Sequence, residues 1–234
     1  MSGPGWDDLG EEDVDRLTTQ VLRYGSRARP ELRRIRLEGV DAVVKDYGRH
    51  GTVFKRLLGA WLARREEAAL RRAQGLPGVP RVIARPQAWT IVLDHMDATP
   101  VTGLEAGRLD AAFFARLTDL IDALHERGIA HGDLEHLDNI LVTAEMRPAL
   151  VDFAAAVMTG SNPIAAFAWP YVVANDLRAI CKLKAQFAPE LLSADERCTL
   201  ARRSALEAWF RRVRRYVRGP VKALATDPDE DARP

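Results

Sequence analysis

Residues 131–142 read HGDLEHLDNILV, and the reading of the whole chain turns on how this stretch is parsed. Asp133 lies in a polar turn, and the apolar run Ile140–Val142 predicts a short strand. Just before that strand two oxygen-bearing side chains stand side by side, Asp138 and Asn139, with five residues between Asp133 and Asn139. The next apolar run, PALVDF, puts Asp152 directly behind a second strand. If the two strands pair as a hairpin, Asn139 and Asp152 emerge from neighbouring strand ends, where hard oxygen ligands suit Mg²⁺.

Working outward, LDAAFFARLTDLIDALHERG over 109–128 predicts a helix ended by Gly128. Residues 31–47, ELRRIRLEGVDAVVKDY, predict a hairpin turning at Gly39, and 53–74 carry a helical period stopped by GLPGVP. Strand-like runs follow at 81–84 and 89–96, then a Pro/Gly-containing linker near 97–103. From about 175 onward the chain reads mostly as helices. A strand-rich first part and a mostly helical second part predict an α+β, two-lobed arrangement.

The 234 residues suffice for one such two-lobed domain with a real core. Cys181 and Cys198 show no metal-ligand spacing, and no disulfide framework is expected, which suits a cytoplasmic protein. The N-terminus MSGPGWDDLGEEDVD is acidic and lacks an apolar core, so no signal peptide is expected. A net charge of +1 conceals sign segregation: acids at both ends, arginines in RPELRRIR, FKRLLGAWLARR and FRRVRRYVR.

Phosphoryl transfer needs a cation on the phosphates, metal ligands and a carboxylate for the attacking hydroxyl, with little covalent help from the protein. Lys45, at the end of AVVKDY, is the candidate cation. In the following helix Leu58, Leu62, Glu66, Leu70 and Ala73 share one stripe, which buries Glu66 and turns Glu67 away. A buried carboxylate needs a cationic partner. Lys45 meets that need; the alternative is a local arginine with Glu66 at the stripe's margin. Asp133 is the candidate for orienting the acceptor hydroxyl. A zinc site at His125, His131 and His136 is discounted for want of ligand spacing, and no G-x-S-x-G elbow is present.

Together VVKDY, REEAAL, LIDALHERGIAHGDL, DNILV and ALVDFA resemble the protein-kinase superfamily over about 30–180, in its small atypical bacterial branch: the lipopolysaccharide Kdo/heptose kinases and the RIO-like kinases. The resemblance implies a strand-rich N-lobe, a reduced, mostly helical C-lobe, and ATP and Mg²⁺ as cofactors. It implies that Lys45 binds phosphates and Glu66 anchors it, that Asp133 is catalytic, and that Asn139 and Asp152 hold metal. The usual interval of four residues after the catalytic Asp would select Asp138 instead; the strand anchor favours Asn139, because a loop absorbs an insertion. Asp94, His95 and Met96 would meet adenine through their backbone. His131 and Asp176 would support the catalytic loop.

The departures are as informative. No G-x-G-x-x-G precedes Lys45, HGD stands for HRD, and DFA stands for DFG. Asp176 follows Asp152 by 24 positions, leaving little room for an activation segment or a peptide platform. The expected boundaries are 1–16 for an acidic, disorder-prone segment, 17–96 for the N-lobe, 97–224 for the C-lobe and 225–234 for an acidic tail. The expected activity is transfer of the γ-phosphoryl group to a hydroxyl on lipopolysaccharide core sugar or a related glycolipid. The rivals are a RIO-like serine/threonine protein kinase and a pseudokinase acting as a binding module. Leu206, Trp209, Phe210, Val213 and Val217 share a helical face edged by arginines. That face either closes on the second lobe or lies at the inner membrane against an anionic glycolipid. No basic-aromatic pattern supports nucleic-acid binding.

Overall fold

A computed structural model describes residues 5–26, 29–49, 53–105, 107–160 and 162–201. The basic amphipathic face at 206–217 and the acidic tail lie outside the described residues. The first lobe is a five-stranded antiparallel sheet in the order β1-β2-β3-β5-β4. Its strands are β1 (Thr18–Arg23), β2 (Glu31–Leu37), β3 (Val40–Asp46), β4 (Val82–Gln87) and β5 (Thr90–Asp94). The β2–β3 hairpin turns at Glu38 and Gly39, both at left-handed φ (52° and 80°), where glycine costs nothing.

Alternation in β5 separates two cores. Ile91 and Leu93 face one way and Val92 the other. The first face receives helix α2 (Val53–Arg72), whose Ala69 and Leu70 pack into the larger core. The second face is covered by the N-terminal segment. The acidic stretch expected to be disorder-prone instead forms a 3-10 turn, Trp6–Asp8, and α1 (Glu11–Leu17), so from residue 5 onward it belongs to the first lobe. The reason is apolar. Leu9 and Val14 are 2% and 6% exposed against Ile35, Val44 and Val92, and each buried aliphatic side chain contributes about 1.5–3 kcal/mol. The acids on this segment are used as well: Asp15 bonds Arg49 at 2.9 Å and also meets Arg33.

After β5 the chain crosses at 95–97 into the second lobe. There β6 (Ala98–Pro100), β8 (Ile140–Thr143) and β9 (Pro148–Leu150) form one antiparallel sheet in the order β6-β8-β9. The region read as a linker thus supplies a strand. Helix α3 (Ala111–Glu126) starts where the Asp110 carboxylate accepts from Phe113 N at 2.7 Å, an N-cap, and buries Phe113, Leu117, Ile121 and Leu124. Short strands β7 (Ile129–Ala130) and β10 (Val157–Met158) pair across the catalytic loop region. Helix α4 (Pro163–Phe187) begins a dozen residues before the expected helical region, with Pro170 inside it, and α5 (Ala194–Ala201) follows. No described helix is long and apolar enough to cross a membrane.

Candidate active site

Lys45 and Val43 share one side of β3, the side that meets α2, so Lys45 is carried into the gap between sheet and helix. Its Nζ lies 2.8 Å from Glu66 Oε1 and 2.7 Å from Asp152 Oδ1. Lys45 and Glu66 are 4% and 1% exposed, so their charges are stabilised by each other and by fixed donors, not by water. Glu66 also accepts from Phe153 N at 3.1 Å and from the Tyr47 hydroxyl. Its partner is therefore Lys45 and not a local arginine; Glu67 turns away to Arg71 and Arg85. Sequence reasoning missed Tyr47. Alternation marks it, two residues beyond Lys45 on the same side.

Burial opposes the charge on Lys45, but Glu66, Tyr47 and Asp152 raise it well above its ordinary value, and it is an ammonium. Burial likewise opposes the charge on Asp152, yet the Lys45 ammonium beside it lowers this carboxyl to about 2. Asp152 is thus a carboxylate at any physiological pH. Its backbone is left-handed, with φ 67° and ψ 65°, a strained state for a non-glycine residue that clusters at working sites.

The loop at 131–139 is held from beneath by one buried carboxylate. Asp176, from α4, accepts from His131 N at 2.7 Å, Gly132 N at 2.9 Å and His125 Nε2 at 3.1 Å. Gly132 has φ 74°, and a Cβ there would sit 2.9 Å from the Ala155 carbonyl, so glycine is what the turn accepts. His131 is buried, and burial pushes its imidazole below the ordinary value despite Asp176. The neutral ring then donates from Nε2 to Val151 O at 3.0 Å, while Nδ1 faces Asp133 N at 3.4 Å.

This arrangement carries a pH prediction. An unfolded imidazole takes up a proton near pH 6.5 while the folded ring resists it, so stability is complete above that value and falls as pH drops below it. The urea midpoint is expected to fall between about pH 7.5 and pH 5.5, and His131→Asn to flatten that fall. An equal slope in the variant rejects the assignment.

Asp138 and Asn139 part company. Asn139 is buried, donates to Asp133 O at 2.9 Å, and leaves its Nδ2 3.4 Å from Asp133 Oδ2. Its own carbonyl accepts from Val151 N at 3.0 Å, one residue before Asp152. Asp138 turns outward and accepts from the Thr102 hydroxyl at 2.6 Å. A 3-10 turn at Leu137–Asn139 takes up the extra residue. The structure therefore brings Lys45, Glu66, Asp133, Asn139 and Asp152 together, and leaves Asp138 outside.

At the crossing between lobes the Asp94 carboxylate accepts from Arg81 Nε at 2.9 Å rather than facing the cleft. The Asp94 and His95 N–H groups donate to the carbonyls of Arg81 and Asp41. The Met96 carbonyl accepts from Ala98 N, whereas the Met96 N–H has no partner among the described residues. Behind the site, Arg65 Nη2 donates to Ala156 O at 2.8 Å and Arg72 Nη1 to Thr159 O at 2.9 Å. These two arginines tie α2 to the segment after Asp152, a link that no sequence pattern announced.

A small antiparallel sheet with one helix bearing the carboxylate of a buried lysine, set over a helical lobe that presents Asp133 and Asp152, is a protein-kinase-like fold of reduced size. More narrowly, the chain belongs to the RIO domain family, whose model matches residues 38–190. Among solved structures it is similar to the Rio2 kinase of Chaetomium thermophilum. An ADP/Mg²⁺-phosphoaspartate complex of that protein shares 24% identity at a TM-score of 0.59, covering 83% of this chain and 66% of that one. A second structure of it, also 24% identical at 0.59, covers 79% of this chain and 64% of that one. The chain thus spans just under two thirds of each of these two chains. No curated protein matches it.

Proposed function

We propose that the protein is an ATP- and Mg²⁺-dependent phosphotransferase of the RIO type, acting on a protein hydroxyl. The observation that carries this reading is the buried Lys45–Glu66 pair in contact with Asp152, beside Asp133 and Asn139. The residues fit a nucleotide and a cation. The Met96 N–H, without a partner among the described residues, belongs to the crossing between the lobes, where a base would need a donor, and the ionised Asp152 offers oxygen ligands of the kind Mg²⁺ takes. Support also comes from the ADP and Mg²⁺ named for the Chaetomium Rio2 complex.

In this reading Lys45 holds phosphate oxygens and Glu66 fixes the lysine. Asn139 and Asp152 would hold the metal, which would supply positive charge beside the phosphates. Asp133 accepts a hydrogen bond from the attacking hydroxyl and takes its proton as the hydroxyl oxygen bonds to the γ-phosphorus and the bond from that phosphorus to the β–γ bridging oxygen breaks, releasing ADP. The lipopolysaccharide acceptor expected from the sequence gives way here to the RIO-like protein kinase, because the matched family is the RIO domain. The arginine-edged helix that suggested a membrane lies outside the described residues.

Titration calorimetry with ATP, with and without Mg²⁺, tests the reading. Binding that strengthens with Mg²⁺ is expected, together with transfer of label to a protein pool and none to purified core oligosaccharide. Asn139→Ala should abolish the Mg²⁺ dependence, and Asp138→Ala should leave it intact. Absence of metal-dependent nucleotide binding in the native chain would move the assignment to a pseudokinase.

A further inference from the structure

The site as described lacks one part. The β1–β2 connection, residues 24–30, holds one glycine, Gly25, and so offers no glycine-rich turn to cover phosphates. A row of backbone N–H groups offered by such a turn is a common way to hold phosphate oxygens. Another donor has to serve if the proposed nucleotide is to be gripped from the sheet side.

The strand register supplies one. Arg23 pairs with Leu32 on β2, and Leu32 pairs with Lys45 on β3. Residues in register on adjacent strands project from the same face, so Arg23 and Lys45 point into the same cleft, about 10 Å apart across two strand spacings. This alignment depends on an irregularity. Val21 pairs with Arg33, and the register then slips so that Arg23, not Leu22, stands opposite Leu32. The β-bulge thereby sends an arginine to the cleft face and leaves Leu22 43% exposed. Exposing a leucine so that an arginine can face inward is a poor trade for packing and a reasonable one for binding an anion.

The side chain itself is under-used. Arg23 Nε is buried without a hydrogen-bond partner, and among the described residues Nη2 makes a single long contact, 3.4 Å, with Pro30 O. A buried N–H left without an acceptor is costly and asks for one.

We infer that Arg23 binds the phosphates of the nucleotide from the sheet side, its planar fork taking the role that the N–H groups of a glycine-rich turn have elsewhere. The inference rests on the nucleotide reading above and deepens it. Lys45 and Arg23 then form two cationic walls, the first fixed by Glu66 and the second aimed by the bulge. A guanidinium offers two parallel donors to phosphate oxygens, which a lysine at the same place would not.

The test compares MgADP with adenosine, which lacks the diphosphate and its magnesium, by calorimetry on the native chain, Arg23→Gln, Arg23→Lys and Arg23→Met. Loss of a charge-assisted hydrogen bond should weaken MgADP about 10- to 100-fold in Arg23→Gln and Arg23→Met, with an intermediate loss in Arg23→Lys. Adenosine affinity should stay within about twofold of the native value, since the base and sugar contacts are untouched. Equal losses for both ligands would make Arg23 a clamp on the β1–β2 connection and overturn the inference. Unchanged MgADP affinity would overturn it too, while leaving the nucleotide reading standing. A native chain that binds neither ligand removes both. Thermal melting without nucleotide identifies any variant that fails to fold, in which case the remaining variants decide.

Discussion

Glu66→Ala should destabilise the protein by about 3–5 kcal/mol, because it strands a buried ammonium. Lys45 keeps one partner, Asp152, whose side chain is 34% exposed and therefore partly screened. The Tyr47 hydroxyl and the Phe153 N–H lose their acceptor in the same stroke. Against a total of about 5–15 kcal/mol for a typical domain, that loss brings much of the population to the edge of unfolding at 37 °C. Urea titration followed by circular dichroism measures it. The paired replacement Lys45→Met with Glu66→Leu removes both charges and should cost clearly less than Glu66→Ala alone, since no charge is left behind. Were the double variant the less stable of the two, the pair would be a net stabiliser and the desolvation argument would be wrong.

The second large effect concerns chemistry. Asp133→Asn keeps the size of the side chain and the Asp133 backbone carbonyl that Asn139 uses. It removes the oxygen that would take the hydroxyl proton. Under the proposed function, phosphoryl transfer to protein should drop by roughly 10²–10⁴-fold, while affinity for MgADP stays within about threefold. The comparison of rate with affinity separates a proton acceptor from a structural residue. If affinity falls as far as rate does, Asp133 is part of the nucleotide site instead.

Much of this was legible in the sequence, and the reasons are local. The β2–β3 hairpin, α2 and α3 announce themselves because alternation and helical period are short-range patterns. Glu66 could be assigned to the core by its place in a stripe, and a buried charge narrows its own list of partners. Asn139 could be preferred to Asp138 because a strand end is a firmer reference than a loop. What stayed hidden was long-range or irregular. The contact of Lys45 with Asp152 joins residues 107 positions apart. The bulge that aims Arg23 leaves no mark in alternation, which it breaks. The burial of Leu9 and Val14 was masked by the acids around them, and the start of α4 by Pro170, which usually argues against a helix interior. The glycolipid acceptor came from the resemblance to the lipopolysaccharide kinases, with the arginines at 206–218 as support, a surface cue that any anionic partner would satisfy.

The tie between α2 and the chain after Asp152 bears on inhibitor design. A ligand reaching behind Asp152 would have to expel Phe153 and occupy the space it vacates. Here Phe153 is wholly buried, lies 4.7 Å from the His131 ring, and donates its N–H to Glu66. It is followed by Ala154 rather than glycine, and Arg65 closes over Ala156. Expelling the ring would forfeit about 1.5–3 kcal/mol of burial along with these bonds. Chemical matter for this protein should therefore be sought among ligands that stay at the front of the cleft, and selectivity sought from Arg23.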